Sequence, residues 1–70
     1  MVEKSIELTG TSANSIEDAV NLAVSRAGVT IDGIRRADVI DISANVDGGT
    51  VVGWRVKVKV TFTVQDRLHE

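Results

Sequence analysis

The sequence predicts an α+β fold in which a three-stranded antiparallel sheet wraps around a single helix, in the order β-α-β-β. Two observations favour this fold. From Val52 to Val64 every even position is apolar and every odd position is glycine, basic or polar, which is typical of a half-buried strand. Only one segment, from Ser15 to Ala27, has the spacing of an amphipathic helix. A βαβ crossover between the first two strands is the alternative topology.

The first strand and the helix follow from local patterns. Apolar and polar residues alternate from Val2 to Thr9, and this strand is expected to stop at Gly10. Ser15 is placed to cap the helix, with Asp18 three residues later as a weak capping-box partner. Half of the apolar helix face is alanine, so the helix can lie close on a sheet. Gly28 is expected to end the helix in a left-handed conformation.

The second strand is predicted from Ile34 to Val46. Its apolar residues change from odd to even positions, and a bulge near Val39 would explain the change. The segment Asp47-Gly48-Gly49-Thr50 follows as a tight hairpin, because glycine readily adopts positive φ. The chain contains no repeat, linker or shift in composition, which indicates one domain over residues 1–70 with a fraying tail after Gln65.

The third strand is too long for the helix to cover. At about 3.3 Å per residue the strand would extend roughly 40 Å, whereas the helix would reach about 20 Å. A chain of 70 residues without cysteine also has neither a large core nor a disulfide to stabilise it. Soluble monomers rarely leave so much apolar surface exposed. Self-assembly is therefore the first functional prediction.

Composition argues against several classes of function. A net charge of −2 is unfavourable for nucleic acid, and Arg55, Lys57 and Lys59 are interpreted as a solvated or subunit-facing edge rather than a phosphate-binding stripe. No apolar run approaches the ~20 residues that span a bilayer, so no membrane partner is expected. A cytoplasmic location is expected instead. The only histidine, His69, lies in the tail without a nucleophile beside it, and no enzyme activity is expected.

Four short segments together carry a family resemblance. In order they are Glu7-Leu8-Thr9-Gly10-Thr11-Ser12, Ser25-Arg26-Ala27, Ala37-Asp38-Val39 and Val58-x-Val60-x-Phe62. Their order and spacing over nearly the whole chain resemble the dodecins, very small β-α-β-β proteins that assemble as hollow dodecamers and typically bind flavins. The resemblance implies a homododecamer in which the long third strand packs against symmetry mates.

Both flavin-contact positions of that family carry arginine in this chain. The stacking tryptophan of flavin-binding members stands two residues before the acidic residue of the Ala37-Asp38-Val39 segment, where this chain has Arg36. A glutamine on the third strand corresponds to Arg55. A guanidinium can stack, but it stays charged and prefers oxygen partners. The resemblance therefore makes Arg36, Ala37, Asp38 and Arg55 the candidate ligand-binding residues, at an altered flavin site.

Three interpretations of the two arginines remain open. In the first, each arginine pairs with an acidic neighbour such as Asp38 or Asp41. In the second, the arginines bind a phosphate or other anion, such as a phosphorylated flavin. In the third, a flavin still binds but in a different position, with help from Trp54. Against the last, Trp54 shares the apolar alternation of the third strand, which favours a place in the core.

Oxygen-bearing side chains suggest a metal ion as a different ligand. Asp38, Asp41, Asn45 and Asp47 lie on and after the second strand, although their spacing is not that of an EF-hand. In an assembly of twelve copies, however, carboxylates recur around the symmetry axes and can converge. Some dodecin-like proteins without the stacking tryptophan are associated with calcium, and this chain is similar to them in that loss. The structural alternative is that Asp47 makes the turn and Asp38 pairs with arginine.

The function predicted from the sequence is that of a non-catalytic, dodecin-type homododecamer that binds or sequesters a small ligand. A divalent cation such as calcium is the expected ligand. Flavin storage, with FMN or riboflavin, is the alternative, and a structural shell without a ligand is the third possibility.

Overall fold

A computed structural model of the protein describes residues 1–64. The elements are β1 (Val2–Ser12), α1 (Ile16–Gly28), β2 (Ile34–Asp47) and β3 (Thr50–Val64). β3 is the central strand and pairs antiparallel with both β1 and β2, so the sheet order is β1-β3-β2. The predicted antiparallel sheet is confirmed. The tail after Gln65, with His69, lies outside the described residues.

The end of β1 differs from the prediction, because the strand continues through Gly10 to Ser12. Gly10 does not stop the strand but allows α1 to lie against it. A Cβ at this position would overlap the carbonyl oxygen of Ala19 and would lie 3.2 Å from the Cβ of Ala23. The glycine is therefore a site of close helix–strand contact.

The two ends of α1 have different outcomes. Ser15 is the N-cap, as predicted, and its hydroxyl accepts a hydrogen bond of 2.9 Å from the backbone N–H of Asp18. The prediction for Gly28 is wrong, because Val29 continues the right-handed conformation with φ −63°. Its N–H donates to the carbonyl of Arg26, and this tightened last turn satisfies helix carbonyls without a left-handed residue.

The hairpin between β2 and β3 forms as the glycines predict. Gly48 and Gly49 have φ angles of 59° and 77°, which is the pattern of a two-residue type I′ turn. The predicted bulge near Val39 is confirmed by a register shift between Val39 and Asp41. Two further shifts, between residues 34 and 36 and between residues 45 and 46, were not predicted.

The core lies between α1 and the middle of β3. Its buried residues are Ala19, Ala23, Val56, Val58 and Val60. The three valines are fully buried, which confirms the inward side of the β3 alternation. Trp54 shares their side of the strand but is only partly buried and lies outside this cluster, so its predicted place in the core is not found in a single chain.

Residues 39–54, which we call the hairpin arm, carry large apolar side chains that α1 does not cover. The molecule measures 59 × 19 × 12 Å, so it is elongated along the strands. Large apolar side chains of the arm are 46–62% exposed: Val39, Ile40, Ile42, Val46, Val51 and Val52. The single helix therefore leaves a long stretch of apolar sheet uncovered, as the lengths of the elements predict.

Candidate functional site

The sheet has one face under α1 and one face without a helix, which we call the open face. Residues paired across antiparallel strands point to the same side of the sheet. Val58 is buried against α1, and its partner Val39 therefore lies on that side. Lys59 and its partner Asp38 point the other way, onto the open face. Charged candidate residues of β2 are thus separated from the core by the sheet itself.

The bulge after Val39 brings the β2 carboxylates onto the same face. In a regular strand Asp38 and Asp41, three residues apart, would point to opposite faces. The register shift moves Asp41 into pairing with Lys57, which is on the open face beside Lys59. Ser43 and Asn45 follow the same alternation as Asp41. The bulge therefore creates a single row of polar side chains along β2.

Basic and acidic residues alternate across the open face. Arg55, Lys57 and Lys59 are exposed, as predicted, but they run along the central strand of the sheet and not along an edge, because β3 pairs with both other strands. Glu7 on β1 pairs in register with Lys59, and its carboxylate lies 3.9 Å from the Nζ of Lys57. The central basic strand is thus flanked by carboxylates on both neighbouring strands.

Arg36 forms an ion pair with Asp38. One terminal guanidinium nitrogen donates to Oδ1 of Asp38 at 3.2 Å, and the two side chains are 70% and 47% exposed. Of the three interpretations of Arg36, the structure contains the pairing with an acidic neighbour. Arg55 instead lies across from Ser43 and Thr11, and within residues 1–64 it has no ion pair.

A groove of about 330 Å³ surrounds this ion pair on the open face. Its lining combines charges of both signs with two hydroxyls: Glu3, Lys4, Ser5, Arg36, Asp38, Lys59 and Thr61. A larger cavity of about 550 Å³ lies between β1 and α1, where Leu22 and Arg26 contribute to the lining. None of the predicted ligand or metal residues lines the larger cavity.

The four candidate metal ligands do not converge in one chain. Asp38, Asp41 and Asn45 share the open face, and Asp47 precedes the hairpin turn. The first and last are separated by roughly 30 Å of extended strand. Across residues 1–64 no group of three or more histidine, cysteine or acidic side chains lies close enough to hold a metal ion. The side chains of these residues therefore do not form a cluster of acidic calcium ligands within one chain.

Trp54 and the two arginines lie on opposite faces of the sheet. Trp54 pairs in register with Ser12 and Ala44 on the α1 side, whereas Arg36 and Arg55 are on the open face. Within one chain, Trp54 cannot complete a flavin stack with either arginine.

Ser12, whose hydroxyl contacts the carboxylate of Asp18, has a structural role. Ser12 is buried, and its hydroxyl donates to Oδ2 of Asp18 at 2.6 Å while accepting from the backbone N–H of Asn14 at 2.9 Å. These bonds join the end of β1 to the start of α1. Ser12 is thus a turn residue that accepts backbone hydrogen bonds just before the helix cap at Ser15.

Sequence reasoning missed the cross-strand partners of the β2 carboxylates. Glu7 and Lys57 form an ion pair, and Lys59 stands opposite Asp38, yet none of these three was assigned to the site. The alternation of β3 places its lysines on one face, but pairing depends on register, which no local pattern contains.

Within residues 1–64, no helix has the length and apolar character needed to cross a bilayer.

Comparisons with known proteins agree on one family. The model of the dodecin family matches residues 2–65. Calcium dodecin of Mycobacterium tuberculosis is 39% identical over 64 residues, which cover 91% of this chain and 90% of the relative. A solved structure of calcium dodecin from that organism, described as a calcium-chelating immunodominant antigen with a novel calcium-binding site, has 38% identity and a TM-score of 0.81 over 93% of each chain. Dodecin of Streptomyces coelicolor has 27% identity and a TM-score of 0.87 over 94% of each chain.

Proposed function

We propose that this chain, which belongs to the dodecin family, is a non-catalytic binding and sequestration protein that assembles from identical copies and takes up a divalent cation such as calcium. The observation that carries the proposal is the 39% identity with a calcium dodecin over 91% of the chain. The row of oxygen-bearing side chains on the open face of β2 supports it independently.

The hairpin arm supports assembly into a homododecamer. Its large apolar side chains are about half exposed in the single chain. Burial of apolar surface stabilises contacts by about 25 cal/mol per Å², which favours covering the arm with another copy. The number of twelve copies comes from the family resemblance. Native mass spectrometry of the purified protein counts the copies directly, and a monomer would contradict this part of the proposal.

Asp38, Asp41, Asn45 and Asp47 are the proposed calcium ligands, shared between copies. Calcium takes six to eight oxygen ligands, and residues 1–64 of one chain bring no cluster of three acidic side chains together. In a closed symmetric assembly each carboxylate recurs around the axes, so a few oxygens from each copy can complete a shell. Asp41 and Asp47 have no ion pair within the described part of the chain, so their charges are available to a cation.

Flavin storage is not favoured by the contacts of the described residues. Arg36, at the position of the stacking tryptophan, is paired with Asp38, and a guanidinium prefers oxygen partners such as this carboxylate. Arg36→Trp tests whether the stack is the missing element, because it restores the aromatic surface and removes the ion pair. A gain in FMN or riboflavin affinity is the result expected if flavin binding was lost at this position.

Calcium binding is tested by isothermal titration of the assembly after chelator treatment. We expect the wild-type protein to bind calcium, and Asp41→Asn and Asp47→Asn each to weaken binding by about tenfold, because each removes a charged ligand. Asp32→Asn is the matched control, since Asp32 is exposed in the link between α1 and β2 and is not a proposed ligand.

Two results would contradict the calcium proposal. No heat of binding in the wild-type protein would favour the shell without a ligand. An equal loss of affinity in Asp32→Asn would indicate a general effect of net charge instead of coordination by β2. Calcium should also raise the melting temperature of the wild-type assembly, because a ligand that binds only the folded state stabilises it by mass action.

A further inference from the structure

We propose that Arg36 is a resident counter-ion, which pairs with Asp38 in the metal-free protein and competes with a divalent cation for that carboxylate. This inference rests on the proposed calcium function and adds a residue that sets its affinity. In this inference Arg36 weakens cation binding and does not itself contact the ligand.

The backbone of β2 directs the guanidinium toward Asp38. Arg36 and Asp38 are two residues apart in a strand, so they point to the same face. The cross-strand partner of Arg36 is Thr61, which offers a hydroxyl and no charge. The guanidinium therefore finds its counter-charge along its own strand, at 3.2 Å from Oδ1 of Asp38.

Asp38 is the only proposed calcium ligand that forms an ion pair within residues 1–64. In addition to its ion pair with Arg36, it stands opposite Lys59 in the register of the two strands. Asp41 stands opposite Lys57, but that ammonium lies 3.9 Å from Glu7 on the other neighbouring strand. Within one chain, the negative charge of Asp38 is therefore partly neutralised by Arg36, whereas Asp41 has no such ion pair.

A divalent cation at Asp38 competes with Arg36 in two ways. It needs carboxylate oxygen that now accepts a hydrogen bond from the guanidinium. If the guanidinium stays in place, the metal ion is also repelled by the positive charge of Arg36. Because the pair is 70% and 47% exposed, solvent screens it, and the competition is modest. Releasing it corresponds to a gain of about two- to fivefold in calcium affinity.

The test compares two neighbouring arginines by isothermal calcium titration. Arg36→Gln is expected to raise calcium affinity about two- to fivefold, because it removes the competing cation. Arg35→Gln is the matched control: it removes the same charge one residue away, and Arg35 is exposed and has no ion pair within residues 1–64. Its calcium affinity should stay close to that of the wild-type protein. Native mass spectrometry confirms that both variants keep the wild-type copy number.

A double variant isolates the contact itself. In an Asp38→Asn background the carboxylate is gone, and Arg36→Gln should then have no effect on calcium affinity. Equal gains in Arg35→Gln and Arg36→Gln would overturn the inference, since net charge would explain both. Unchanged affinity in Arg36→Gln, with normal calcium binding by the wild-type protein, would overturn it and leave the proposed function intact. Absence of calcium binding in the wild-type protein would overturn both.

Discussion

Replacing Gly10 with alanine is the sharpest test of how the helix lies on the sheet. A Cβ at Gly10 would overlap the carbonyl oxygen of Ala19, with the carbonyl carbon at 3.1 Å and the Cβ of Ala23 at 3.2 Å. The obstructing atoms belong to the helix backbone, so no side-chain rotation can relieve the overlap. α1 must move away from β1 as a body.

That movement would loosen the most tightly packed part of the molecule. Ala19 and Ala23 are buried against the fully buried valines of β3. Overpacking of a core costs typically 1–3 kcal/mol, and we expect the upper half of that range, about 2–3 kcal/mol, because backbone must shift. For a domain of this size such a loss corresponds to a fall of roughly 10–20 °C in melting temperature.

Gly28→Ala is the matched control for the same added methyl group. A Cβ at Gly28 would have no neighbour within 4 Å, and Gly28 is not among the positive-φ glycines. Alanine should therefore be neutral or stabilise by up to about 1 kcal/mol through helix propensity. Thermal unfolding followed by circular dichroism, at equal protein concentration, measures both variants. A Gly10→Ala melting temperature equal to that of the wild-type protein would refute the close helix–strand contact.

Two further variants test the turn before α1 and the hairpin arm. Ser12→Ala should destabilise the fold by about 1–2 kcal/mol in urea unfolding, because the carboxylate of Asp18 loses a buried hydrogen-bond donor. Ser25→Ala, on the exposed surface of α1, is the control and should leave the stability unchanged. Equal stability of the two variants would contradict the structural role of Ser12. Val46→Asp should reduce the copy number in native mass spectrometry, because Val46 is 62% exposed on the arm and a charge there opposes burial against another copy. Asn21→Asp adds the same charge on the exposed surface of α1, away from the arm, and should leave the assembly whole; an intact Val46→Asp assembly would mean that this part of the arm is not a subunit contact.

Local patterns were sufficient where the chain decides its structure over a few residues. The periodicity and the cap at Ser15 located the helix to within one residue at each end. The glycine pair located the hairpin, and the change of phase located the bulge near Val39. The prediction failed at Gly10, which does not end β1, and at Gly28, which does not adopt a left-handed conformation. Gly10 instead contacts a helix nine or more residues away.

The candidate site was predictable in its residues and not in its arrangement. Asp38 and Arg36 stand out from the resemblance and from their oxygen and guanidinium chemistry. Which cation faces which carboxylate depends on the pairing of three strands, and a change of one residue in register would turn a whole row to the other face. The Glu7–Lys57 ion pair joins two strands separated by most of the chain, so no local pattern contains it.

The sequence by itself determined the order of the elements, the helix, the turn and the need to cover a long apolar strand, because these depend on spacing between near neighbours. Only the tertiary structure decided that Asp38 and Asp41 share a face, that Arg36 holds Asp38, and that Trp54 lies on the other side of the sheet. The physical reason is that strand register and bulges, which are set by contacts between distant parts of the chain, determine the face to which each side chain points.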